Sequence, residues 1–132
     1  MMRARPPVQS LAALAGVVFL LLGVLGLVPG ITTRYGSMSF AGPGSSARLL
    51  GVFQVSILHD TVHLLFGVAG LALAKTAAGA RRFLLGGGVV CIALWLLGLV
   101  GAADWLPANR ADNWLHFALG ATLVALGVTR SV

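Results

Sequence analysis

Four long apolar stretches, at residues 8–28, 49–75, 83–103 and 113–129, account for most of this sequence. A helix needs about 20 predominantly apolar residues to cross the hydrocarbon core of a bilayer. The stretches approach or exceed that length. Only 9% of all residues are charged, whereas charged residues make up about 25% of a soluble domain. The sequence therefore predicts an all-α, polytopic membrane protein, in which residues 1–132 form a single bundle of four transmembrane helices.

The basic residues that flank the apolar stretches predict how the helices are oriented. The positive-inside rule places the larger group of Lys and Arg residues in the cytoplasm. The larger group consists of Arg3, Arg5, Lys75, Arg81, Arg82 and Arg130, and the smaller group of Arg34, Arg48 and Arg110. We therefore predict a protein of the bacterial inner membrane with both termini in the cytoplasm. The formal net charge of +6 is then explained by basic residues that contact anionic lipid headgroups. Nucleic acid is therefore excluded as the partner.

A long polar segment, residues 29–47, separates the first two apolar stretches. Its many Gly, Ser, Thr and Pro residues are typical of an irregular loop. Loops of this length often cover a functional site, so we expect an outer loop that caps the bundle. Ser45 or Ser46 is expected to cap the second helix, and Asp112 to cap the fourth.

Polar side chains in the second apolar stretch must be satisfied inside the protein. An ionisable group that faces lipid costs several kcal/mol, so Asp60 must point into the bundle. Counting back from the basic residue that closes each helix places His116 level with the segment from His59 to His63. If the second and fourth helices are neighbours, a buried polar cluster forms between them. Its expected members are Ser56, His59, Asp60, His63, Asn113 and His116.

The second half of the chain repeats features of the first half. Asp60–Gly67 and Asn113–Gly120 both read polar-x-x-His-x-x-x-Gly, and Leu25–Val28 matches Leu97–Val100. Corresponding helices run in the same direction, which favours a duplication of two helices with parallel repeats. Glycines within the helices, including Gly67, Gly70 and Gly120, are expected to let neighbouring helices approach closely. Such packing also suits a homo-oligomer or a subunit of a larger membrane complex.

The polar cluster has a structural and a metal-binding interpretation. In the structural one, which we favour, its side chains form hydrogen bonds between helices that are worth roughly 0.6 kcal/mol each, and no cofactor is expected. In the metal-binding one, His59 and His63 share one helix face at positions i and i+4. His116 and Asp60 then complete a site for zinc or another transition metal.

Two further interpretations of the cluster remain open. His63 and His116 would be axial haem ligands if Gly67 and Gly120 made room for the ring, which would indicate a membrane redox protein. The acidic and imidazole groups would alternatively relay protons or ions. Hydrolytic catalysis is not predicted, because no serine or cysteine has a base at a spacing that indicates an activated nucleophile. Cys91, the single cysteine, is interpreted as a buried, inert thiol.

Several short segments carry a resemblance to a known family. They are Pro29–Thr33, Ser39–Gly42, Leu49–His59, His63–Gly67 and Asp112–His116. Together they resemble the small actinobacterial four-helix membrane proteins known as domain of unknown function 4383, over nearly the whole chain. The resemblance implies a bacterial inner-membrane protein without an established activity. That family more usually carries Asn at the position of Asp60, which counts against a carboxylate metal ligand and an obligatory proton relay.

Overall fold

Most of the protein is helical, as the apolar pattern predicts. The computed structural model describes residues 7–42, 44–100 and 109–129. The helices are α1 (Pro7–Gly26), α2 (Ile57–Leu73), α3 (Ala77–Val100) and α4 (Arg110–Thr129). Within the described part of the chain, α1 and α3 are long and apolar enough to cross a membrane, with mean hydropathies of 2.4 and 2.5. The helix α2 is also apolar but shorter.

The helices pack as two antiparallel hairpins, α1 with α2 and α3 with α4. The Gln9 amide donates to the Ala74 carbonyl oxygen over 3.0 Å, so the start of α1 lies beside the end of α2. Arg81 Nε donates to the Gly127 carbonyl oxygen over 2.9 Å and joins the start of α3 to the end of α4. The hairpins meet mainly where α1 packs on α3, and a buried apolar core that includes Leu84 joins them.

Several helix boundaries differ from those the sequence predicts. The third helix was expected at residue 83 but starts at Ala77, because Thr76 Oγ1 accepts a hydrogen bond from the Gly79 N–H and caps the helix. Arg81 and Arg82 therefore lie on α3 rather than in the turn before it. The first helix ends two residues earlier than predicted, and the fourth starts three residues earlier. The end predicted for the third helix, at residue 103, lies outside the described residues.

A small antiparallel sheet lies between α1 and α2. Its strands, β1 (Thr32–Thr33), β2 (Arg48–Leu49) and β3 (Phe53–Gln54), are ordered β1-β2-β3. A short 3₁₀ helix, Tyr35–Ser37, follows β1. Buried Ala47, Leu49 and Val55 give this region an apolar core of its own. Within residues 29–47, predicted as an irregular loop, the described part has regular structure only in β1 and in the 3₁₀ helix, and β2 and β3 follow this segment.

The second helix, predicted to begin at residue 49, begins at Ile57. The reason lies in the turn between β2 and β3, where Leu50 and Gly51 have φ angles of 56° and 72°. These left-handed conformations are incompatible with a right-handed helix. The neighbouring residues pair in the sheet instead, and the helix starts only after β3.

The caps of α2 and α4 also differ from those predicted. Ser56, in an extended conformation, caps α2 by accepting a hydrogen bond from the His59 N–H over 3.2 Å. Ser45 instead donates from its hydroxyl to the Val55 carbonyl oxygen over 2.6 Å, within the sheet region. Neither Ser45 nor Ser46 is therefore the cap.

Asn109 and Asp112 form a reciprocal capping box at the start of α4. The Asp112 N–H donates to Asn109 Oδ1 over 2.9 Å, and the Asn109 N–H donates to Asp112 Oδ2 over 3.1 Å. Asn109 is therefore the cap, and Asp112 lies three residues later. The Asn109 side-chain amide also donates to the Val52 carbonyl oxygen over 2.8 Å, which fixes the sheet to the second hairpin.

Replacing Ser56 with alanine should lower the free energy of unfolding by about 1 kcal/mol, because the His59 N–H loses its acceptor at a buried position. The exposed Ser46, the cap suggested by the sequence, provides the matched control. Ser46→Ala should leave the stability unchanged. Chemical unfolding of the purified variants measures both effects, and equal losses in the two variants would show that Ser56 does not act as the cap.

The two hairpins have matching internal contacts. Aligning Asp60 with Asn113 places Ser56 on Asn109, so both caps occupy the same position of the repeat. The same alignment pairs Gly67 with Gly120. Aligning the shared Leu-Gly-Leu-Val endings pairs Gly16 with Gly88. A Cβ added to Gly16 would lie 3.0 Å from the Gly67 carbonyl oxygen, and one added to Gly88 would lie 3.0 Å from that of Gly120. The contacts thus agree with a duplication of two helices.

Candidate metal centre

Three histidines from two helices meet inside the protein. His59 and His63 lie one turn apart on the same face of α2, and His116 comes from α4. One ring nitrogen of each lies within 4.8 Å of the other two. The ring centroids of His59 and His63 are 4.3 Å apart, and those of His59 and His116 are 5.5 Å apart. The three histidines predicted from the second and fourth helices therefore form a buried cluster, although α2 and α4 are not among the helix pairs that pack closely.

This histidine trio, His59, His63 and His116, is buried, with exposed fractions of 7%, 7% and 2%. Both ring nitrogens of His59 and His116, and Nδ1 of His63, find no hydrogen-bond partner among the described residues. Buried polar groups nearly always have a partner, so each exception needs a physical explanation. A bound cation would explain these unpaired nitrogens, because a neutral imidazole coordinates metals through a ring nitrogen.

The spacing of the trio suits a single ion. Zinc binds imidazole nitrogens at about 2.0–2.1 Å in a tetrahedral arrangement, which places ligand nitrogens about 3.4 Å apart. The three nitrogens lie within 4.8 Å of one another. Ring movements of about 1 Å would therefore bring all three into bonding distance. The trio thus offers three of the four ligands of a tetrahedral site and leaves the fourth position open.

A small cavity of about 20 Å³ borders the histidine trio. That volume is close to the space that one water molecule or one ion requires. Apart from the three imidazoles, its wall contains one thiol and five apolar side chains. These are Cys91, Phe19, Val62, Phe66, Val90 and Leu94. The cavity accommodates an ion but is far too small for a haem ring.

The comparison with known families decides where this chain belongs. A family model described as Domain of unknown function (DUF4383) matches residues 9–129. The chain belongs to the DUF4383 family. The family suggested by the sequence is thereby confirmed, and the matched span contains the whole histidine trio of this DUF4383 protein. No curated protein and no solved structure shows significant similarity to it.

The glycines that were expected to make room for a haem ring lie against neighbouring helices. In this DUF4383 protein, a Cβ added to Gly67 would meet Leu20 and Gly16 of α1, and one added to Gly120 would meet Ile92 and Gly88 of α3. The space beside each of these two glycines is therefore occupied by a neighbouring helix. Gly70 likewise lies against Phe83 and Gly16. These glycines allow close packing of neighbouring helices, as the sequence predicts.

Asp60 does not join the histidine trio. Successive helical residues point about 100° apart, so Asp60 faces α1 while its neighbour His59 faces the cavity. The Asp60 carboxyl group is fully buried and lies directly against Gly26. Neither of its oxygens finds a hydrogen-bond partner among the described residues. Asp60 is thus not among the residues that share the candidate ion site.

The other two expected members of the polar cluster, Ser56 and Asn113, do not line the small cavity beside the trio. Ser56 caps α2 through its hydroxyl oxygen. The Asn113 side-chain oxygen is buried without a hydrogen-bond partner among the described residues. Of the six predicted residues, only the three histidines line this cavity.

Sequence reasoning missed the approach of Cys91 to the histidine trio. Cys91 is buried and lines the same cavity, although it was interpreted as an inert thiol. The repeat contained a signal: aligning the Leu-Gly-Leu-Val endings places Cys91 on Phe19. Both residues line the cavity, so the repeat could have assigned Cys91 to an inward-facing position.

Proposed function

We propose that this DUF4383 protein is an integral membrane protein that binds one transition-metal ion between His59, His63 and His116. The observation that carries the proposal is the set of buried ring nitrogens without hydrogen-bond partners among the described residues. Three imidazoles that converge from two helices provide neutral nitrogen ligands of the kind that zinc and related ions prefer. The small cavity beside them matches a single ion.

The structural interpretation, favoured from sequence alone, receives less support. It requires the histidines to donate or accept hydrogen bonds between helices. The described residues provide no such partner for five of the six ring nitrogens. Burying those groups without a partner costs roughly 1–3 kcal/mol each, which a purely structural cluster would not offset. Coordination of an ion removes this cost for one nitrogen of each residue.

The distribution of polar and apolar residues supports a membrane location. The helix α2 buries His59, Asp60 and His63 but exposes Leu65 and Val68, which are 64% and 59% accessible. Helices of soluble proteins show the opposite pattern, with apolar residues inside and polar residues outside. Lipid tails reverse the preference, since ionisable groups there face the bundle interior. We therefore propose that the four helices cross the inner membrane and that lipid tails cover the exposed residues.

The basic residues of the described part lie at opposite ends of the helices. Arg34 and Arg48 lie by the sheet, and Arg110 opens α4 beside it, whereas Arg81 lies at the other end, where α3 begins. Arg3, Arg5 and Arg130, on which the predicted orientation also depends, lie outside the described residues. We propose that the sheet forms an outer cap and that both termini are cytoplasmic, as the positive-inside rule predicts.

Measuring the metal content of the purified full-length protein tests this function. The protein, extracted from the membrane fraction with detergent after growth with added transition metals, is expected to carry one ion per chain by mass spectrometry. His116→Ala should lose most of it, because only two imidazoles remain. Asp60→Asn, which changes a buried polar residue outside the ligand group, should retain the ion.

Two results would contradict the proposal. A metal-free wild-type protein under these conditions would support the structural interpretation of the trio. A Soret absorption band in the purified protein would instead show that the protein binds haem. That result would disagree with the expectation from the small volume of the cavity.

A further inference from the structure

We infer that Cys91 is the fourth ligand of the metal site, which makes it a three-histidine, one-thiolate centre that selects a thiophilic ion such as Zn²⁺. This inference rests on the proposed function. It concerns the one coordination position that the histidine trio leaves open. Cys91 is buried and lines the same small cavity as His59, His63 and His116. Its sulfur lies outside the group of ring nitrogens that are within 4.8 Å of one another, so coordination requires the Cys91 side chain to move toward the trio.

The contact between α3 and α4 supports the approach of Cys91 to His116. Gly88 of α3 contacts Gly120 of α4. Cys91 lies three residues after Gly88, and His116 lies four residues before Gly120. Because α3 and α4 are antiparallel, these two steps lead in the same direction along the hairpin. Each step is about one helical turn, so Cys91 and His116 lie at the same level.

The first hairpin contains the equivalent pair in measurable contact. Gly16 contacts Gly67, and the same steps from these glycines lead to Phe19 and His63. The ring centroids of Phe19 and His63 are 5.9 Å apart. By analogy with Phe19 and His63, we infer that Cys91 faces the same side of the hairpin as His116, and both line the cavity. Only the second hairpin carries a side chain at this position that can bind metal.

The chemistry of the four groups defines the preferred ion. A thiolate and three neutral imidazoles form the nitrogen and sulfur environment in which zinc adopts tetrahedral coordination. Hard ions such as Mg²⁺ and Ca²⁺ prefer oxygen ligands and are disfavoured. On binding, the S–H bond of Cys91 is replaced by a metal–sulfur bond, and the thiol proton passes to the solvent. No electron transfer is involved, and a divalent ion leaves the centre with a net charge of +1.

Titration of the full-length protein in detergent with Co²⁺, a coloured substitute for Zn²⁺, tests the inference. Tetrahedral Co²⁺ gives visible d–d bands whatever its ligands, whereas a thiolate-to-cobalt charge-transfer band in the near ultraviolet requires sulfur. Cys91 is the only cysteine in the chain, so this band has one possible cysteine source. We expect both signals in the wild-type protein, and we expect Zn²⁺ to remove both by displacement.

The variants separate the two proposals. Cys91→Ala should lose the charge-transfer band, keep the d–d bands and bind Co²⁺ about tenfold more weakly or worse. Cys91→Ser, closer in size, should also lose the band and provides the test if the alanine variant does not fold. Visible bands without a charge-transfer band in the wild-type protein would overturn the role of Cys91 but leave the histidine site intact. Absence of Co²⁺ binding to the wild-type protein would overturn both.

Discussion

Gly67→Ala is expected to destabilise the protein by about 3 kcal/mol, because α1 and α2 are in backbone contact at this position. A Cβ on residue 67 would lie 2.7 Å from the backbone nitrogen of Leu20 and 2.8 Å from the carbonyl oxygen of Gly16. Neither is the end of a flexible side chain that can rotate away. The two helices would have to separate, and the loss of packing would extend along the hairpin.

Gly86 provides the matched control, since a Cβ there would meet nothing within 4 Å. Gly86→Ala should be neutral or stabilising by up to about 1 kcal/mol, because alanine favours the helical conformation more than glycine does. Chemical unfolding in detergent micelles measures both variants against the wild-type protein. Similar small changes in the two variants would show that the close approach of α1 and α2 is not required for stability.

Saturating Zn²⁺ is expected to stabilise the wild-type protein strongly. An ion at 1,000 times its dissociation constant adds about 4 kcal/mol to the free energy of unfolding when it binds only the folded state. The trio draws its ligands from α2 and α4, so the ion links the two hairpins of the fold. Thermal unfolding in detergent, with Zn²⁺ and then with a chelator, should show a large decrease in midpoint on metal removal.

The variants used for the metal content also serve this measurement. His116→Ala should show no more than a small difference between the metal-loaded and chelated states, because the ligand from α4 is missing. Asp60→Asn should respond to the metal as the wild-type protein does. An equal stabilisation of the wild-type protein and His116→Ala would place the ion at another site.

Local features of the fold were predictable because they depend on neighbouring residues. The spacing of His59 and His63 places both imidazoles on one helix face wherever the helix packs. Their common depth with His116 followed from the position of each residue along its apolar stretch. The start of α2 was not predictable in this way. Strand β2 pairs with β1, which is distant in the chain, and with β3, and this pairing overrides the apolar character of residues 49–56.

The sequence by itself determined the number of helices, their apolar surfaces and the two turns of α2 that carry the paired histidines. Only the tertiary structure decided which side chains meet. Asp60 is adjacent to His59 in the chain but packs against Gly26. Cys91 is distant from all three histidines in the chain but lines their cavity. The reason is that helical geometry fixes the direction of a side chain relative to its own helix. The rotation of that helix within the fold is set by close contacts such as those of Gly67 and Gly120.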